Sequence, residues 1–237
     1  METHQELIQI LFGGLAKKLA TCKAEELQVK NGLLTKKELY IQQHVDQLLQ
    51  KICESWNEAE HMLCQALTLL EEKISLSSTA QEEWKQLHDK ITKLFSEGLQ
   101  IPEDATFASL LGISPHTLSW IYQVGFDAHK NTHRVEAESI FLLLTYLNPF
   151  IVEYWIALGI TQKDQNKQDK AISSFAIASL IHPNHVSPHY HLATLFLQQQ
   201  KIEQATEEVA ILEQLIATQQ RPDLQTLVHE LQTKIAT

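Results

Sequence analysis

Glycine, proline and cysteine are scarce in this sequence. Seven glycines and six prolines stand among 237 residues, of which 44% are hydrophobic, and this composition excludes a mainly disordered chain. The three cysteines, Cys22, Cys53 and Cys64, have no metal-like spacing, and their odd number argues against a secreted disulfide framework. We therefore expect a globular, helical protein of a reducing compartment.

Long apolar runs and an excess of basic residues are also missing. No stretch approaches the ~20 apolar residues of a membrane span, and Glu2 and Glu6 stand where a secretory signal carries positive charge. The net charge of −10 offers no basic surface for nucleic acid. There is no glycine-rich phosphate loop. We expect a soluble cytoplasmic protein with no cofactor, no nucleic-acid partner and no stable membrane insertion.

What the sequence does contain is a 34-residue period. Small residues recur at two positions, an aromatic or branched residue stands four positions after the second, and proline follows. The sets are Gly125, Gly159 and Ala193; Ala137, Ala171 and Ala205; Phe141, Phe175 and Val209; and Pro149 and Pro183, with Ala217 where a third proline would fall. This period and order are typical of the tetratricopeptide repeat, a helix–turn–helix unit of about 34 residues.

These residue types have a physical reason to recur. A small residue on each helix lets two antiparallel helices approach closely, and the aromatic or branched residue fills the space between units. Proline ends the second helix because it has no N–H and disfavours helical geometry in the preceding residue. The sequence thus predicts an all-α fold in which paired helices stack into a superhelix.

The register places the repeats at about 118–151, 152–185 and 186–219, with a C-terminal capping helix at 222–235. Their helices are predicted at about 116–130, 134–147, 151–165, 168–181, 186–199 and 202–218. Ahead of them, Asp104 is predicted to cap a short helix through Leu111, and Ser114-Pro115 to begin the first repeat. We assign residues 80–237 to the repeat domain and 1–79 to an N-terminal helical extension.

The extension contains a predicted long helix at about 36–76, with apolar residues three and four apart. Two arrangements remain open from the sequence. The helix could self-associate as a coiled coil and form a homodimer, or it could fold back against helical segments at 3–20 and 82–98.

The first helices of stacked repeats line the concave side of the superhelix, where the second, fifth, ninth and twelfth residues of each unit face outward. Besides Ser119, Glu153 and Ser187, these positions hold the candidate peptide-binding residues Tyr122, Phe126, His129, Ile156, Ile160, Lys163, Tyr190, Thr194 and Leu197. We call this set the groove face. Exposed apolar surface usually marks an interaction site, and three repeats suit a short extended peptide. Because Lys163 is the only lysine or arginine in the set, a carboxylate clamp is disfavoured.

Histidines cluster near the turn between the second and third repeats, at His182, His185, His189 and His191. Imidazoles can bind transition metals, but neither cysteine nor carboxylate completes a ligand set nearby. We predict capping or solvated histidines and no metal site. The alternative is that these histidines make the binding of a partner depend on pH. No catalytic arrangement is recognised, so an enzyme is not expected.

Several segments resemble the SycD/LcrH family, the class II chaperones of type III secretion. They are Leu110-Leu111-Gly112-Ile113-Ser114, Thr117-Leu118, Tyr122 with Phe126, Leu158-Gly159, the segment from Lys170 to Phe175, and Glu203 to Ala217. The similarity covers about residues 81–218. It implies a chaperone of the bacterial cytoplasm that holds a hydrophobic segment of a secreted translocator or effector in its groove, keeping the client soluble and export-competent.

The resemblance also implies that Tyr122, Phe126, Ile156, Ile160 and Tyr190 contact the peptide. His129 stands where family members often carry an aromatic residue. Residues 1–79 are longer than the usual N-terminus of the family. The alternative interpretation is therefore a structural assembly component that oligomerises through its N-terminal helix and docks to secretion-apparatus proteins.

Overall fold

The computed structural model describes residues 56–74, 78–79, 81–82, 106–219 and 222–236. Within these ranges the secondary structure consists of helices and turns, without a β-strand. The helices are α1 (Trp56–Lys73), α2 (Phe107–Leu110), α3 (Pro115–Lys130), α4 (Arg134–Leu147), α5 (Val152–Asp164), α6 (Gln168–Ile181), α7 (Val186–Gln198), α8 (Ile202–Thr218) and α9 (Gln225–Ala236). A 3-10 turn, Pro222–Leu224, precedes α9.

The three predicted repeats correspond to the helix pairs α3–α4, α5–α6 and α7–α8. Three of the six predicted helices, at 134–147, 168–181 and 202–218, have the bounds expected from the register. The helices predicted at 116–130 and 186–199 differ by one residue at one end, and the helix predicted at 151–165 is one residue shorter at each end. The predicted capping helix is α9. The all-α tetratricopeptide-repeat fold is thus confirmed.

Small residues bring the helices of each pair together. A Cβ atom added at Gly125 would lie 2.9 Å from the Phe141 ring, and one added at Gly159 would lie 2.8 Å from the Phe175 ring. Real Cβ atoms do not approach a carbon so closely, so glycine is needed wherever phenylalanine stands opposite. In the third repeat Ala193 belongs to the same buried cluster as the smaller Val209. A larger residue on the first helix is therefore combined with a smaller facing residue on the second helix.

The first helix of each repeat ends in one type of turn. Thr132, Asn166 and Gln200, which are 34 residues apart, have positive φ angles of 64°, 60° and 57°. The N–H of the following residue donates to the carbonyl five residues back in all three turns: His133 to Ala128, Lys167 to Gln162 and Lys201 to Phe196. This is the Schellman motif, which usually has glycine at the left-handed position. Here it forms without glycine.

The first of two compact units ends at Phe150. In it α1 and α2 pack against α4, which also pairs with α3. Met62, Ala66 and Leu70 form the buried side of α1, one helical turn apart. The packing of α1 on a repeat helix was not among the predicted arrangements of the extension. The segments at 3–20 and 36–55 and nearly all of 82–98 lie outside the described residues.

The second unit begins at Ile151 and contains α5 to α9. One of its buried clusters joins Ala171 and Phe175 of α6 to Leu192 and Leu195 of α7. Another joins α7 and α8 to Val228 and Leu231 of the capping helix. Helix α9 thus covers apolar residues that the last repeat would otherwise expose to solvent. Among the described residues, no helix combines the length and apolar character needed to cross a bilayer.

Candidate functional site

The groove face of the first unit lies on α3. Leu118, Ile121 and Gly125 turn toward the core and are buried, whereas Tyr122 and His129 are half-buried. Phe126 is 48% exposed. Tyr122 packs its ring against Phe141, with 5.5 Å between ring centroids. Phe126 is therefore the groove-face residue of this unit whose apolar surface is most available to a partner.

The groove face of the second unit lies on α5 and α7, and none of its members is fully buried. Ile156 and Ile160 of α5 rest on the cluster of Phe175 and its neighbours. Tyr190 and Leu197 of α7 rest on the cluster that includes Ala193 and Val209. Each of these side chains packs against a buried cluster and keeps some solvent-accessible surface. The groove face of this unit therefore exposes part of its apolar surface.

Thr194 and Lys163 supply polar atoms to this face. The Thr194 hydroxyl donates to the Tyr190 carbonyl of its own helix at 2.8 Å. Lys163 is partly buried, and its Nζ lies 3.5 Å from Nδ1 of His191. His191 is not one of the predicted groove-face residues, but its contact with Lys163 places it beside them. The repeat register gives no signal for this contact, because the position of His191 is not one of those expected to face outward.

His191 is held between an aromatic ring and a cation. Its imidazole stacks on Phe175, with centroids 4.5 Å apart, and contacts Tyr190 edge-on at 5.5 Å. Burial lowers the pKa of His191 to about 4, and the positive charge of Lys163 adds to the effect, while Asp164 opposes it. The ring is therefore neutral at neutral pH.

The other histidines of the predicted cluster have structural roles of their own. Nδ1 of His185 accepts the Ser187 N–H at 3.3 Å and so caps α7. Burial and the nearby His182 lower the pKa of His185. The buried His189 has Nδ1 2.7 Å from Glu208 Oε2 and Nε2 3.0 Å from the Pro183 carbonyl oxygen. The part of the chain described here has no group of three or more His, Cys, Asp or Glu side chains arranged to hold a metal ion.

The lowered pKa of His191 predicts an acid-sensitive third repeat. The unfolded chain takes up a proton near pH 6.5 and the folded chain only near pH 4, so folding stability falls as pH decreases through this window. Each pKa unit is worth about 1.4 kcal/mol. After a discount for the partial exposure of the ring, we expect the wild type to lose about 2 kcal/mol more than His191→Gln between pH 6.5 and 4.

Urea unfolding of both proteins at several pH values measures this difference. Because the substitution also removes the stack on Phe175, the informative quantity is the pH dependence and not the stability at one pH. Parallel stability profiles for the two proteins would show that His191 does not carry the effect.

Comparison with known proteins gives matches among solved structures alone. No protein-family model matches the chain, and no curated protein sequence matches it. The type III secretion translocator chaperone SycD of Yersinia enterocolitica aligns with a TM-score of 0.50 and 22% identity over 56% of this chain and 97% of SycD. A chain of the CopN–Scc3 complex aligns with a TM-score of 0.52 and 22% identity, covering 71% of this chain and 98% of its own length.

A chain from a type III secretion complex of Aeromonas hydrophila aligns with a TM-score of 0.51 and 23% identity, over 62% of this chain and 92% of its own. At these identities the likeness concerns the fold. The predicted resemblance is confirmed at this level: the chain has the all-α repeat fold of the translocator chaperone SycD.

Proposed function

We propose that this chain is a bacterial cytoplasmic chaperone that binds a hydrophobic segment of a type III secretion translocator or effector and keeps it soluble and export-competent. The observation that carries the proposal is the apolar groove face on a chain with the fold of SycD. Phe126 is 48% exposed. Ile156, Ile160 and Tyr190 are partly accessible to solvent and pack against buried apolar clusters. Exposed apolar surface of this kind is typical of a binding site.

The mechanism is mass action and needs no chemical step. A membrane-active client exposes apolar segments that associate with one another in water. Binding to the groove face lowers the concentration of free segments and stabilises both partners by linkage. The apolar and aromatic side chains account for affinity, and successive supported positions along the first helices account for an extended client conformation.

Co-expression tests the proposal directly. Each hydrophobic protein exported by the same type III apparatus is produced with and without this chain, and its soluble fraction is measured. We expect at least one of these proteins to be soluble only together with the chain and to co-purify with it at a fixed stoichiometry. If none of them gains solubility, the chaperone function is wrong.

A further inference from the structure

In the groove face of the second unit, the Thr194 hydroxyl bonds within its own helix, and the one charged residue, Lys163, lies at a polar spot. There Lys163 of α5 meets His191 of α7, with 3.5 Å between Nζ and Nδ1. Asp164, the adjacent residue, is exposed, and its carboxylate partly offsets the effect of the Lys163 charge on His191. The spot therefore contains the partly buried ammonium group of Lys163 on a protein whose net charge is −10.

The hydrogen-bonding capacity of the spot is that of a donor pair. A lysine ammonium has three N–H donors and no acceptor. The His191 Nδ1 that faces it is therefore the acceptor nitrogen of a neutral ring, and the ring proton resides on Nε2. After this internal contact the pair still offers the remaining ammonium N–H groups and the Nε2–H. A ligand that completes the spot must supply acceptor atoms.

The apolar surroundings determine which kind of acceptor group on a client is favourable at this spot. Ile156, Ile160, Tyr190 and Leu197 are the other large side chains of this face. A client that covers them also removes water from Lys163, and a charge buried without a partner is strongly unfavourable. A carboxylate provides both the opposite charge and the acceptors. An uncharged client would have to leave Lys163 in contact with water.

From this geometry we infer that the client segment carries one aspartate or glutamate that binds Lys163 and His191 while its apolar neighbours bind the surrounding groove face. The inference rests on the proposed function and specifies the chemistry of the client. A single acidic residue fits better than an acidic run, because the overall negative charge of the protein repels further carboxylates. Lys163 is then a specificity-determining residue.

The test is selection of a random library of displayed 12-residue peptides on the immobilised full-length chain. We expect the selected pool to be enriched in large apolar residues and in one acidic residue per peptide. Selection on Lys163→Met should keep the apolar enrichment and lose the acidic one, while Lys163→Arg should keep both. In a selected peptide, Glu→Gln should weaken binding to the wild type about 10- to 100-fold and binding to Lys163→Met less than about 3-fold.

The possible outcomes separate this inference from the proposed function. Apolar enrichment without acidic enrichment on the wild type overturns the inference and leaves the chaperone function standing. Acidic enrichment that survives in Lys163→Met also overturns it, because another group then binds the carboxylate. A pool without apolar enrichment overturns the proposed function and this inference with it.

Discussion

Phe126→Ser is expected to weaken binding of the client about 30- to 100-fold while leaving the helical structure intact. A phenylalanine side chain that passes from water into an interface contributes about 1.5–3 kcal/mol, and aromatic residues are frequent hot spots of binding. Because Phe126 is already 48% exposed in the free chain, its replacement removes little from the core. Titration of the purified client, followed by calorimetry or fluorescence, measures the loss.

Val135→Ser is the matched control. Val135 is the second residue of α4, is 52% exposed and lies outside the groove face. Its replacement removes similar exposed apolar surface at a place where we predict no client. Client affinity should therefore change less than about 3-fold. Equal losses for the two variants would show that general surface hydrophobicity, and not the groove face, binds the client.

Tyr122 is a less suitable position for this test. Its ring packs against Phe141, which is a core residue of the first repeat. Tyr122→Ala would therefore change stability and binding together. The distinction between these two neighbouring groove-face residues was not available from the repeat register, which assigns both to the same side of α3. It follows only from the contacts that each side chain makes.

The period of 34 residues was sufficient to predict most of the repeat architecture. Small residues, aromatic residues and prolines recur at fixed positions, so the register assigns helix bounds even where local signals are weak. Helix α6 begins at Gln168 and ends at Ile181, as predicted, because Pro183 prevents its continuation. The capping helix could be predicted for a related reason, since the last repeat has apolar residues that need a cover.

Features that depend on local backbone geometry were harder to predict. The turns at Thr132, Asn166 and Gln200 adopt a left-handed conformation without the glycine that normally indicates it. The short helix α2 is capped by Thr106, which forms a capping box with Ser109, and not by Asp104 as predicted. Both side chains could have served as caps, and the sequence alone gave no means to choose between them.

The histidines show why side chains that lie close together need not form one site. His185, His189 and His191 lie on or beside the first turns of one helix, and each points toward a different neighbour. His185 caps α7, His189 reaches Glu208 on α8, and His191 stacks on Phe175 of α6. The sequence predicts capping or solvated histidines for the cluster as a whole and assigns no partner to any one of them. The separate partners could be identified only once the packing of three helices was known.

The second prediction with a large expected effect concerns stability, which we expect to depend on the combined size of facing residues within a repeat. Gly159→Ala is expected to destabilise the protein by about 1–2 kcal/mol, although alanine favours a helix over glycine by about 1 kcal/mol. The new Cβ would lie 2.8 Å from Phe175 Cε1. Phe175 is 0% exposed and stacked on His191, so its ring has no space to move away. Overpacking therefore exceeds the gain in helix propensity.

Phe175→Val should be destabilising for the opposite reason. Loss of the ring removes buried apolar contacts and leaves a cavity, which costs about 2–4 kcal/mol. The double variant Gly159→Ala/Phe175→Val recreates the pair found in the third repeat, where Ala193 is combined with Val209. The alanine methyl group then occupies part of the space that the ring has left. We expect the double variant to be more stable than the sum of the single effects predicts, by about 1–3 kcal/mol.

Urea unfolding of the four proteins in this cycle gives the coupling energy, provided that the m-values agree. Gly159→Ala combined with Val228→Ala is the control, because Val228 lies on the capping helix in a different buried cluster. Those two changes should add within about 0.5 kcal/mol. A stabilising Gly159→Ala, or additive effects at positions 159 and 175, would contradict the view that facing residues in these repeats are matched by size. A positive coupling would mean that the small residue and its aromatic partner are one structural unit, which explains why the two positions change together from the second repeat to the third.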